Sequence, residues 1–175
     1  MSNPFGLISD QHYNNWSQFG RTIGLDYNSR LKIQLETTLE AAKAMKAAGC
    51  EYLFCAGDTF HVRGTLLPSV LNYVTETYKQ IINEIGLKVV MLAGNHDLET
   101  NASVYSSNAS SSLAGIGVHV VCGAPYSVKV GDATIHLVSW RESYTELLVD
   151  LKQVRAEAGD GIHDLIIHAG INNAI

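Results

Sequence analysis

Four clusters of chemistry-bearing residues punctuate the chain: Asp10-Gln11-His12, Gly57-Asp58-Thr59-Phe60-His61, Gly94-Asn95-His96-Asp97 and, standing alone, His168. Carboxylates supply charge, imidazoles supply nitrogen, and an Asn carbonyl is a neutral oxygen donor. Together they suit hard or borderline divalent cations. Asp and His two residues apart can both turn inward once the chain leaves the regular pleat of a strand. Asp58 follows a glycine, which lets the backbone turn sharply and approach closely. One carboxylate at the centre can bridge two cations about 3.5–4 Å apart. Singly, each cluster is weak, since Gly-Asp and Gly-Asn usually mark turns. Their order and their shared position carry the reading.

That position follows from the elements around them. Residues 5–9 form a short apolar run ending at Asp10 and read as a buried strand. A polar, aromatic loop follows over 11–27. Residues 29–48 carry Leu31, Leu35, Leu39, Ala42 and Met45 at helical spacing, with Gly49 as a C-terminal cap. Strands are expected over 52–56 and 88–93, each broken by a glycine just before Asp58 or Asn95. Between them, residues 68–85 read as a helix closed by Gly86. Residues 99–112 are a loop or a short, weak helix. Further strands are expected over 118–121, 126–130 and 134–140, the last two joined at Gly131-Asp132, then a helix over 144–158, a turn at 159–161, and a strand over 165–167 reaching His168. Strands alternating with helices predict an α/β class, a mainly parallel sheet covered on both faces, with antiparallel strands added on one side. Each cluster then follows the C-terminal end of a strand, where open α/β sheets bind ligands.

At 175 residues with 46% hydrophobic content, the chain can bury one proper core. The formal charge of -5 argues against blanket electrostatic binding of nucleic acid, although bound divalent cations would add local positive charge. No signal peptide or membrane-length apolar stretch is visible. Cys50, Cys55 and Cys122 lack metal-type spacing and are expected to be free thiols in a reducing, cytoplasmic setting. The glycosylation patterns at Asn101 and Asn108 are read as chance.

In their order, the clusters Asp10-Gln11-His12, Gly57-Asp58 and Gly94-Asn95-His96-Asp97 resemble the signature of calcineurin-like metallophosphoesterases. The resemblance implies an α/β/β/α sandwich of mixed, mostly parallel sheets flanked by helices. The second motif of that superfamily commonly reads Gly-Asp-x-x-Asp. Here His61 takes the last place, as in SbcD-like nuclease subunits of double-strand-break repair, which pair with an SMC-like ATPase. By this resemblance Asp10 and His12 would hold a first metal, Asp58 would bridge, and Asn95 and His168 would hold a second. His96 would assist the leaving oxygen, oriented by Asp97, and His61 would steady the phosphate. The implied cofactors are two divalent ions, Mn²⁺ foremost, with Mg²⁺, Fe²⁺ or Zn²⁺ as alternatives. The implied substrate is DNA, and the implied partner is an SMC-like ATPase subunit.

The sequence departs from the pattern in lacking a closing Gly-His-x-His. Residues 1–175 are therefore expected to be the N-terminal portion of a metallophosphoesterase domain, binding metal weakly by itself. An edge strand left open by such truncation would invite a homodimer. His119, His136 and His163 are read as structural or solvated, with His136 on a strand and His163 in a turn. Tyr13, Trp16 and Phe19, with Arg21 and Arg63, either meet nucleic acid or pack the long loop onto the domain. Two other functions stay open at this point. One is a small-molecule phosphodiesterase or phosphatase, against which His61 argues. The other is a non-catalytic remnant of the fold, against which the intact His96-Asp97 pair argues.

Overall fold

The computed structural model describes residues 3–23, 27–62, 65–99 and 108–170. Four parallel strands form the first sheet: β1 (Gly6–Ile8), β4 (Tyr52–Cys55), β5 (Lys88–Leu92) and β6 (His119–Val121), in the order β1-β4-β5-β6. The register sets Ile8 beside Cys55, Cys55 beside Met91 and Leu92 beside Val121, so the carboxyl ends of the strands are level. Between β1 and β4 lie the short antiparallel pair β2 (Thr22–Ile23) and β3 (Tyr27–Asn28) and the helix α1 (Ser29–Ala47). The Asn28 side chain caps α1 by accepting the N–H groups of Arg30 and Leu31, and Gly49 leaves it at φ +87°. Leu31, Leu35, Thr38 and Ala42 supply its buried face.

Helix α2 (Pro68–Gln80) starts on a proline and passes into a single π-helical turn, Ile81–Ile85, before Gly86 at φ +79°. The expected helix over 68–85 is thus one continuous body with a wider last turn. Of the stretch expected as a loop or weak helix over 99–112, residues 100–107 lie outside the described residues, and its end enters a 3₁₀ segment, Ala109–Ile116, capped by Asn108.

The second sheet consists of β7 (Tyr126–Val130), β8 (Ala133–Val138) and β9 (Ile162–Ile167). β7 and β8 are antiparallel, and β8 and β9 are parallel across the helix α3 (Tyr144–Glu157). This corrects the expectation that the hairpin extends the side of the parallel sheet. The physical reason lies in alternation along the strands. Phe54, Val90, Leu92 and Val121 point from the first sheet into one core with Val130, Ala133, Ile135, Leu137 and Ile166 of the second. The opposite faces, Leu53, Cys55, Val89 and Met91, pack on Leu31, Leu35, Val74 and Tyr78 of the helices. The layers are α/β/β/α, as the resemblance implied. Each fully buried Leu, Phe or Met side chain contributes roughly 1.5–3 kcal/mol.

A second correction concerns β9, which begins at Ile162 rather than 165, so His163 lies on a strand and not in a turn. There it pairs with the buried His136, whose Nε2 lies 2.9 Å from His163 Nδ1. Cys50, Cys55 and Cys122 form no disulfide among the described residues. No helix among the described residues is long and apolar enough to cross a membrane.

Candidate metal centre and active site

The loops after β1 and β4 continue to pair beyond their strands. Asp10 N–H donates to Gly57 C=O (3.1 Å), His12 N–H to Asp58 C=O (2.9 Å) and Tyr13 N–H to Thr59 C=O (2.8 Å). To make these bonds while turning side chains inward, Asp10, His12 and Asp58 take φ of 57°, 47° and 52°. Non-glycine residues rarely adopt such angles. Three of them among candidate ligands mark strain held at a site rather than distributed through the fold.

Asp58 is the hub. Its Oδ2 lies 3.6 Å from His12 Nε2, and its Oδ1 lies 3.4 Å from His168 Nε2. Asp10 Oδ1 stands 3.8 Å from His12 Nε2, and Asp10, His12 and Asp58 offer ligand atoms that all lie within 4.8 Å of one another. On the other side, His168 Nε2 is 3.1 Å from Asn95 Oδ1. The carboxylate therefore presents one oxygen to each of two donor groups.

His168 reaches the site from the second sheet. Its N–H donates to Val138 C=O, and its ring Nδ1–H donates to Ala56 C=O at 2.7 Å. That bond fixes the tautomer and leaves Nε2 facing two oxygens, a gap that a proton or a cation must fill. Burial would lower the His168 pKa, but the Asp58 hydrogen bond and charge outweigh it and the net shift is upward. Burial likewise pushes Asp58 up, and the bonds from His168 and His96 N–H (2.8 Å) with the nearby imidazole charges bring it below its ordinary value. In chemistry and arrangement the donors fit divalent cations, carboxylate oxygen and imidazole nitrogen on either side of a shared carboxylate.

Two glycines make room for this closeness. A Cβ on Gly94 would sit 2.2 Å from Asp58 Oδ1, and one on Gly57, at φ +105°, 2.3 Å from His168 Nδ1. Their side-chain-free positions are requirements of the site.

The imidazoles of His12, His61 and His96 gather beside the carboxylates. Ring centroids are 5.4 Å apart for His12 and His61, 4.7 Å for His12 and His96, and 4.9 Å for His61 and His96. Asp97 is fully buried. Its oxygens accept the backbone N–H groups of Phe60 (2.7 Å), Gly94 (2.9 Å) and Thr59 (3.3 Å). The carboxylate thus ties the two loops together and positions His96 through the backbone that carries it. Burial pushes its pKa up to about 6, against the pull of those N–H donors.

A family model for calcineurin-like phosphoesterases matches residues 4–171. The chain belongs to that family. Similar solved structures include the nuclease MPE of Pseudomonas putida, with 25% identity and a TM-score of 0.42 over 74% of this chain and 51% of that one. Another is a dimetal phosphatase from Danio rerio, with 16% identity and a TM-score of 0.47 over 87% of this chain and 51% of that one. The calcineurin-like chain thus spans about half the length of each. No curated protein matches it.

All the residues singled out for this phosphoesterase site, Asp10, His12, Asp58, His61, Asn95, His96, Asp97 and His168, stand at one edge of the sandwich. The aromatic loop divides differently. Tyr13 is a core residue, bridged to Phe60 in β fashion and bonded through its hydroxyl to Thr38, so it does not face a ligand. Phe19 is 95% exposed, and Trp16 packs on His61 at 4.6 Å. Arg63 and the pattern at 101–103 lie outside the described residues. Two neighbours of the site were missed. Trp140, just past β8, meets His168 in an edge-type ring contact with centroids 6.2 Å apart, and the strand-end rule that found the other clusters points to it as well. Arg30, one residue inside α1, carries no local signal.

Proposed function

We propose that this calcineurin-like phosphoesterase is a metal-dependent phosphodiesterase acting on DNA, a nuclease of the SbcD-like kind. The observation that carries the reading is the Asp58 carboxylate set between His12 and His168, with His61 and His96 side by side next to it. Asp10, His12 and Asp58 would hold one cation, and Asp58, Asn95 and His168 a second, Mn²⁺ being the proposed native ion. When bound, such cations lower the pKa of water and neutralise charge on phosphoryl oxygens. His96 would supply a proton to the leaving oxygen, its position set by the N–H bond to Asp58 and by the Asp97 brace on its loop. His61 would bind a non-bridging phosphate oxygen. A histidine rather than a carboxylate at that position removes a like charge from a polyanionic substrate, which favours nucleic acid over the phosphatase alternative. Action in DNA repair with an SMC-like ATPase subunit, in the cytoplasm, belongs to the same proposal.

The test measures hydrolysis of linear duplex DNA, single-stranded DNA and bis-p-nitrophenyl phosphate with Mn²⁺, in the chain and in Asp58→Ala and His96→Ala. DNA cleavage abolished by both substitutions is expected. Turnover of the small ester without DNA cleavage would favour the small-molecule phosphodiesterase. Unchanged activity in both variants would remove the enzymatic reading.

A further inference from the structure

A second cleft, of about 300 Å³, opens beside the imidazoles and is lined on its far side by Gln11, Trp16, Arg30 and Gln34. None of these four is among the candidate metal ligands or the clustered imidazoles. The Arg30 guanidinium lies 5.3 Å over the Trp16 ring, and no carboxylate pairs with it among the described residues. Its placement is built in. Asn28 caps α1 through the N–H groups of Arg30 and Leu31, and the same side chain donates to the Trp16 carbonyl, tying loop and helix end together. Trp16 is held from its other side by the His12 carbonyl, which accepts its indole N–H at 3.2 Å.

The amides add a complementary feature. Gln34 Nε2 donates to the Gln11 carbonyl at 2.8 Å, which fixes the orientation of that amide. Among the described residues, the side-chain oxygens Oε1 of Gln11 and Gln34 are buried with no hydrogen-bond partner. Buried acceptors without donors are costly unless a ligand completes them. The cleft thus offers a planar cation for a phosphate, next to the metal donors, and it is lined by two amides whose oxygens lack a donor.

Resting on the nuclease reading, we infer that this cleft binds the nucleotide unit adjoining the scissile bond. Arg30 takes the flanking phosphate, and the Gln11 and Gln34 amides turn their buried oxygens outward to accept from the base or sugar. A guanidinium fork matches two phosphate oxygens at once, and its aromatic support reduces the freedom lost on binding. A single phosphate ester fills only the metal side, whereas a polynucleotide reaches both.

The experiment is fluorescence anisotropy of a labelled single-stranded oligonucleotide of about 12 nucleotides, a length within the usual site range. It is run in EDTA and in Ca²⁺ over a series of salt concentrations. Arg30→Ala is expected to weaken binding about tenfold and to reduce the salt slope by about 0.7, one phosphate contact on a single strand. Arg30→Lys should restore the slope but only part of the affinity, and Gln34→Leu should weaken binding with the slope intact. Lys32→Ala, on the same helix and paired with Glu36, is the control and should match the original protein. Normal binding and slope in Arg30→Ala would overturn this inference alone. Failure of the original chain to bind the oligonucleotide would overturn the nuclease reading and this inference with it.

Discussion

The Asp97 carboxylate accepts the Phe60 backbone N–H at 2.7 Å, joining the loop after β5 to the loop after β4. With its bonds to Thr59 and Gly94 it fixes the two segments that carry Asp58, His61, Asn95 and His96. Asp97→Asn would turn an N–H₂ group toward backbone donors. We expect a loss of about 1–3 kcal/mol in stability, read from the urea midpoint, because buried donors lose their acceptor. Metal affinity should fall in parallel, about 10–100-fold, as for other outer supports of a metal ligand.

Gly94→Ala tests closeness without changing any donor. Its Cβ would lie 2.2 Å from Asp58 Oδ1 and 2.3 Å from Asp58 N, so the loops must separate. The expected result is Mn²⁺ affinity weaker by about tenfold or more, measured by calorimetric titration, with the fold retained by circular dichroism. Unchanged affinity would show that the loops tolerate a wider spacing.

The pH dependence follows from opposite shifts in one contact. His168 is raised above 6.5, so its contribution is complete below that value and is lost as pH rises through the higher folded pKa. Asp58 is lowered below 3.8, so its contribution is present above that value and is lost as pH falls through the lower folded pKa. Without metal, the pair therefore contributes fully between the ordinary values of 3.8 and 6.5. His168→Gln should cost more stability at about pH 5 than at about pH 8.5, in urea titrations with EDTA. Metal must displace the His168 proton, so Mn²⁺ affinity should rise as pH increases through that pKa.

The thiols separate by burial. Cys55 is fully buried against Tyr78, and burial pushes its pKa up to about 12. Cys122 is half-buried and Cys50 is buried. A thiol-reactive dye should label Cys122 in the native protein and reach Cys50 and Cys55 only after denaturation. Native labelling of Cys55 would contradict the packing of α2 on the first sheet.

Most strands and helices were legible because their signals are local. Alternation, helical spacing and glycine stops act over a few residues, as in 29–48, 52–56 and 68–85. For Tyr13 the sequence left both nucleic-acid contact and packing open, because an aromatic in a polar loop carries no sign of its bridge to Phe60, forty-seven positions away. Arg30 and the orphaned oxygens of Gln11 and Gln34 were hidden for a similar reason. Their meaning depends on Trp16 being carried onto the end of α1, a contact between separate elements.

By itself, the amino-acid sequence determined which donors exist and that each follows a strand. Short-range periodicity and backbone sterics decide such things within a single segment. The tertiary structure decided that two sheets stack face to face, bringing His168 from the second sheet to within 3.4 Å of Asp58. It also turned Asp97 toward the backbone. Those outcomes depend on burial and register between segments up to more than a hundred positions apart, where chain order sets no distance.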